Sequence, residues 1–154
     1  MMDTGIKIVA TNRKANHEYF LLDRLEAGIA LQGSEIKSIR AGHISLAEAF
    51  VRVDGHEAWL EDAHIAPYEQ ASRYNHDPRR PRKLLLHRKE IRKLWDEVRQ
   101  KGVTIVPIKV YLKDGRAKLE IAVAKGKKLY DKREAIARRD AQRDVEREFS
   151  RRGE

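Results

Sequence analysis

The 154-residue chain contains no cysteine. That absence excludes disulfide bridges, thiolate zinc sites and cysteine nucleophiles together, and it fits a reducing compartment. No apolar run is long enough to span a bilayer, and the opening Met1-Met2-Asp3-Thr4-Gly5-Ile6-Lys7 lacks the apolar core of a secretory signal. The expectation is a cytoplasmic protein that does not span a membrane. Signatures of catalysis are equally scarce. The histidines His17, His43, His56, His64, His76 and His87 include no pair at the close spacing that zinc sites use. Lys125-Gly126-Lys127 has a superficial likeness to a phosphate-binding loop, but Ile121 and Lys128 stand where that pattern needs Gly and Ser or Thr. The neighbours Glu61-Asp62 and Asp96-Glu97 read as solvated charge. These gaps point to a binding protein, not an enzyme, with no metal or cofactor.

What the chain has in excess is positive charge. Lys and Arg number 33 against 24 Asp and Glu, for a net charge of +9. A polyanion is the natural partner, and nucleic acid or an anionic membrane surface are the two main classes. The length suits one domain with a real core plus an appendage.

Ile6 to Ala10 reads as a first strand, and Asn12 as the cap of a polar turn or short helix. Tyr19 to Leu22 and Gly28 to Gly33 read as one long strand interrupted near Glu26-Ala27-Gly28, with a bulge at the glycine. Ser34 is placed to cap a helix over Glu35 to Ala41, which Gly42 stops, with Ile36 and Ile39 on one face. Phe50 to Val53 and Glu57 to Leu60 flank Asp54-Gly55-His56 as a hairpin. Turn formers between His64 and Pro81 break any continuous element there. Arg79 to Lys93 then carries eight cations against the single acid Glu90. Over His87 to Lys101, Ile91, Leu94, Trp95 and Val98 fall at helical spacing, with Gly102 as the stop. Trp59 and Trp95 are expected in the core. Leu84-Leu85-Leu86 has two open readings, a buried run or an apolar contact partly exposed beside a basic patch.

The clearest hairpin joins Val103 to Lys113 and Arg116 to Ala124 through Asp114-Gly115. A two-residue loop pairs Leu112 with Ala117, Val110 with Leu119 and Ile108 with Ile121 on the buried face. The other face would show Lys109, Tyr111, Lys113 and Lys118, a cationic and aromatic surface of the kind RNA-binding sheets use.

The stretch Ala124 to Arg133 is the junction of the chain. Lys125, Lys127, Lys128, Lys132 and Arg133 offer charges to phosphates, Gly126 permits close approach, and Tyr130 supplies a stacking face. Beyond it the tail sorts on helical geometry into an apolar row, Ala137, Ala141, Val145 and Phe149, and an arginine row, Arg139, Arg143, Arg147 and Arg151. The apolar row is too thin to dock a helix firmly, so the expectation is a tail disordered when free and helical on a partner.

Several segments together resemble the SsrA-binding protein family, also called small protein B. They include Asn12-Arg13-Lys14-Ala15 with His17 and Tyr19, Glu26-Ala27-Gly28-Ile29, and Glu35-Ile36-Lys37-Ser38-Ile39-Arg40 with Gly42. Further matches are His64-Ile65 with Pro67-Tyr68, Arg82-Lys83-Leu84-Leu85-Leu86, Val106-Pro107, and Ala124 to Lys128 with Asp131-Lys132-Arg133. The resemblance covers most of residues 8 to 133. It implies a mainly β fold with small helices, a closed antiparallel oligonucleotide-binding-like barrel at residues 1–130, and a basic tail at residues 131–154. It also implies a monomer that binds transfer-messenger RNA and, with elongation factor Tu acting indirectly, rescues stalled ribosomes. The protein would stand in for a missing anticodon arm, its tail reaching the decoding centre and the empty mRNA channel. By motif, Glu26, Leu85, His87 and Lys118 would contact RNA. Lys125, Lys127, Lys128, Tyr130, Asp131, Lys132 and Arg133 would face the ribosome and its small-subunit rRNA. An RNA-processing enzyme and a polybasic membrane-surface protein are the competing classes; magnesium-dependent RNA turnover would mark the first and sedimentation with anionic liposomes the second.

Overall fold

Asp114 and Gly115 take positive φ angles of 52° and 80° in the computed structural model of the chain. That is the backbone of the tight turn that an Asp-Gly pair favours, because its twist matches the twist of the strands it joins. The structure describes residues 5–127 together with Arg139 and Arg143. Those two arginines are helical and exposed. The expectations for Lys128, Tyr130, Asp131, Lys132, Arg133 and the rest of the tail lie outside the described residues.

The strands are β1 (Ile6–Thr11), β2 (Tyr19–Ile29), β3 (Ile44–Ser45), β4 (Phe50–Val53), β5 (Ala58–Glu61), β6 (His64–Ile65), β7 (Arg82–Leu85), β8 (Thr104–Lys113) and β9 (Arg116–Gly126). Helices α1 (Arg13–Glu18), α2 (Gly33–Arg40) and α3 (Arg88–Lys101) and a 3-10 helix at Glu69–Tyr74 complete the described chain. Antiparallel ladders run from β8 through β4, β5, β7 and β2 to β9, which pairs again with β8. β1 lies along β8 outside that circuit, and β3 pairs with β6 as a separate ribbon.

Alternation along these strands sends one set of side chains inward. Val51, Val53, Ala58, Leu60, Leu84, Ile105, Val110, Leu119, Ile121 and Val123 are buried in one cluster with Ile91 and Leu94 of α3. α3 ends where Gly102 adopts φ 63°, and Trp95 and Val98 pack against the same cluster. A second, smaller cluster joins Ala15 of α1 to Val106, Ile108, Ala122 and Ala124.

Asn12 ties α1 to this second cluster. Its Oδ1 accepts from the Ala15 N–H at 3.2 Å, and its Nδ2 donates to the Pro107 and Leu46 carbonyls at 2.9 and 3.3 Å. Asn12→Ala removes a helix cap and leaves two buried carbonyls without that donor, so an expected loss of about 1–3 kcal/mol follows. An unchanged urea midpoint would contradict it.

Five expectations are corrected. The long strand ends at Ile29 rather than continuing to Gly33, which opens α2 after Gln32 as cap. Its irregularity lies between Leu21 and Arg24, not at Gly28. Ile121 pairs with Pro107 instead of Ile108, because the ladder shifts between Pro107 and Lys109 and turns Ile108 into the smaller cluster. Proline has no N–H to give a ladder, which suits it to such a shift. Trp59 lies on the outer side of β5, half-buried, since Ala58 and Leu60 take the inward positions; its ring faces Arg52 and its N–H reaches Glu57 at 3.2 Å. Tyr111 is 7% exposed, so its ring is no open stacking platform.

Candidate nucleic-acid interface

Register across four ladders lines up one row of residues on the outer face. Leu85 of β7 pairs with Gly28 of β2, Gly28 with Lys118 of β9, Lys118 with Tyr111 of β8, and Tyr111 with Ile8 of β1. Directly paired residues put their side chains on the same face, so at roughly 4.8 Å per ladder the row is about 19 Å wide. Glu26 stands two residues from Gly28 on β2, hence on that same face.

Gly28 has a steric reason. A Cβ there would lie 3.1 Å from Leu85 Cβ, so the bare backbone lets the leucine lie across the strand. Leu85 is nevertheless 55% exposed, while its neighbour Leu84 is buried. Of the two readings open for the leucine run, the partly exposed one holds.

His87 follows Leu86 as the cap of α3, where Glu90 accepts from the His87 N–H at 2.9 Å. The first turn of α3, the end of β7, Glu26, Gly28 and Lys118 enclose an open groove of about 540 Å³. Glu26, Leu85, His87 and Lys118 therefore line one groove, which Lys83, Arg88 and His56 border. Among the described residues no hydrogen bond or ion pair engages the Lys118 ammonium. Such a surface can do three things: meet phosphates with lysine and arginine, accept N–H donors at Glu26, and lay Leu85 against a sugar or base.

Glu26 is held by partners that sequence reasoning did not find. The Tyr111 hydroxyl donates to Oε2, and Lys113 Nζ lies 3.7 Å from Oε1. The hydrogen bond from Tyr111, aided by the charges of Lys113 and Lys118 and opposed by partial burial, sets the Glu26 carboxyl below its ordinary pKa. Burial, and then Glu26 itself, raises the pKa of Tyr111. Glu120, paired directly with Glu26 across the ladder, is neutralised by Arg24 at 3.1 Å and Lys109 at 3.2 Å.

The other expected contacts lie elsewhere. Lys125 pairs with Phe20 and Gly126 with Tyr19, at the opposite end of the β2–β9 ladder from Gly28 and Lys118. Seven residues of β9 separate Lys118 from Lys125, about 23 Å of extended strand. Lys125 is exposed, and Lys127 donates to the Asn16 carbonyl at 3.0 Å and faces the Phe20 ring.

Part of the basic run is withdrawn from any ligand. Arg82 is fully buried, donating to Glu35 Oε2 at 2.6 Å, to the Ala63 carbonyl at 2.7 Å and to the Pro78 carbonyl at 3.0 Å. Arg80 donates to the other Glu35 oxygen at 2.5 Å. Among the described residues no group of three histidines and acids is placed to hold a metal ion, and no helix is long and apolar enough to cross a membrane.

The chain matches the family described as SmpB protein over residues 9–151. It is 62% identical over 148 residues to the SsrA-binding protein of Chloroflexus aggregans, covering 96% of this chain and 94% of that one. To the SsrA-binding protein of Desulforudis audaxviator it is 56% identical over 141 residues, covering 92% of each. A solved structure described as "tmRNA-SmpB: a journey to the center of the bacterial ribosome" contains a chain 50% identical to it, with a TM-score of 0.64 over 77% of this chain and 83% of that one. With matches of this extent laid over a mainly β fold, the chain belongs to the SmpB family of SsrA-binding proteins.

Proposed function

We propose that this protein binds transfer-messenger RNA and carries it to stalled ribosomes for trans-translation. The observation that carries the reading is the convergence of Glu26, Leu85, His87 and Lys118, drawn from three strands and a helix cap, on one groove. The names of its relatives and the subject of the solved complex point the same way.

In finer detail, the ladder circuit is a closed barrel of the oligonucleotide-binding kind, and its groove holds the tRNA-like elbow of the RNA. Lys125 and Lys127, at the far end of the β2–β9 ladder, face the ribosome together with Lys128, Tyr130, Asp131, Lys132 and Arg133. That separation lets one small domain touch the RNA on one side and small-subunit rRNA on the other. The tail, residues 131–154, then occupies the decoding centre and mRNA channel. The protein acts as a cytoplasmic monomer, without catalysis of its own, and meets elongation factor Tu only through the RNA.

Two substitutions test the groove by different physics. Lys118→Ala should lower the slope of log affinity against log salt by about one counterion unit, because one phosphate contact is lost. Leu85→Ala should weaken binding with little change in that slope. Since Leu85 is exposed, its melting temperature should move far less than the 2–5 kcal/mol loss typical of a core leucine would move it. Filter binding of transfer-messenger RNA across a salt series, beside thermal melts, reads all three quantities. Wild-type affinity and slope in both variants would remove the groove from the RNA site.

A further inference from the structure

We infer that Tyr111 is a positioning residue for RNA recognition, fixing Glu26 as an ionised acceptor for nucleobase N–H donors. The inference rests on the groove being the RNA site.

The groove is bordered by cations, and a freely rotating carboxylate there would fold onto the nearest one. Glu120 illustrates that outcome, since it is claimed by Arg24 and Lys109 at 3.1 and 3.2 Å. Glu26 is held differently: its ion pair with Lys113 is longer, at 3.7 Å to Oε1, and the Tyr111 hydroxyl donates to Oε2.

Tyr111 is well suited to this task. Its ring lies on the outer face between the β1 and β9 neighbours Ile8 and Lys118, nearly covered, and its hydroxyl donates to Glu26 on that face. A neutral donor fixes the carboxylate without cancelling its charge, as a bound lysine would. One oxygen is thereby anchored, while Oε1, 3.7 Å from Lys113 and beyond direct hydrogen-bond length, belongs to a side chain that lines the groove. An ionised carboxylate with a free oxygen accepts from an amino or imino N–H of a base edge and repels a phosphate, so it selects a base at one point in an otherwise phosphate-seeking surface. The depressed pKa of Glu26, caused first by the Tyr111 hydrogen bond, keeps that acceptor charged as the pH falls.

Tyr111→Phe removes the hydroxyl and leaves the ring, so the full chain keeps its packing. We expect transfer-messenger RNA to bind about tenfold more weakly, the scale of one hydrogen bond to a charged group. The same substitution placed in a Glu26→Gln background should add almost nothing, because there is then no carboxylate to position. The pH at which binding falls on the acid side should also rise in Tyr111→Phe and show no such dependence in Glu26→Gln. Equal losses from Tyr111→Phe in both backgrounds would overturn the proposal, since a purely packing role produces that result. Wild-type affinity in Tyr111→Phe would overturn it too. If Glu26→Gln binds normally while Lys118→Ala and Leu85→Ala bind weakly, the positioning role fails and the groove stands; if all of them bind normally, the groove itself fails.

Discussion

Glu35→Ala is expected to destabilise the folded chain by about 3–5 kcal/mol, the usual consequence of stripping one partner from a buried ion pair. Glu35 and Arg82 are both fully buried, and Glu35 also accepts from Arg80 and from the Gln32 N–H at 2.8 Å. Removing the carboxylate strands the Arg82 guanidinium in the interior. A domain of this size has a total stability of about 5–15 kcal/mol, so the variant loses a large share of it. The double variant Glu35→Leu/Arg82→Met should lose less than either single change, because no unpaired charge is left behind. Urea unfolding of the three chains measures this, and a Glu35→Ala shift below about 1 kcal/mol would contradict it.

The same cluster sets an acid limit on stability. Burial alone would raise the Glu35 carboxyl; hydrogen bonds from Arg80, Gln32 and Arg82 outweigh it and hold the group below its ordinary value of 4.5. A carboxyl depressed by folding contributes its stability in full above that ordinary value. The contribution disappears as the pH falls through the lower, folded-state value. Stability should therefore decline steeply below about pH 4 in the native chain and less steeply in the Glu35→Leu/Arg82→Met variant.

The second large effect concerns the tail. Every buried core residue among the described residues lies between Ala15 and Ala124. A chain stopped after Arg133 should accordingly fold and, with its groove intact, bind transfer-messenger RNA with only a modest loss. Peptide tagging on stalled ribosomes should fall about a hundredfold or more, the usual worth of a second tethered contact. Proline at Ala141 should imitate the truncation, because the docking proposed for the arginine row requires a helix that proline would interrupt. A reconstituted tagging assay beside filter binding separates the two activities. Normal tagging by the truncated chain would sink the role given to the tail, and an equal loss of RNA binding would reduce it to a nonspecific basic arm.

Local chemistry makes much of the fold legible in the sequence. Asp114-Gly115 with strict alternation on both sides specifies the β8–β9 hairpin, and Asn12, Gly42 and Gly102 mark helix ends by their own conformational preferences. What stayed hidden depends on contacts distant in sequence. Glu26 looks like any solvated acid until Tyr111, 85 residues away in the chain, closes on it. Arg82 looks like one more cation of a basic run, and only its strand position, alternating with Lys83, turns it into the core to meet Glu35. The apolar surroundings of Trp59 suggest a core residue, whereas the pleat gives the inward places to Ala58 and Leu60. Composition points to a polyanion, and the sequence leaves an exposed leucine as one of two readings. Register then brings that leucine beside Lys118 through Gly28.

The central claim is that this groove selects transfer-messenger RNA. It is tested most directly by sequencing the RNA that copurifies with the full chain and with its Leu85→Ala and Lys118→Ala variants. Strong enrichment of transfer-messenger RNA is expected on the native protein, with depletion on both variants and each variant still folded. Enrichment undiminished by the two substitutions, or a native chain that captures bulk RNA without preference, would contradict it.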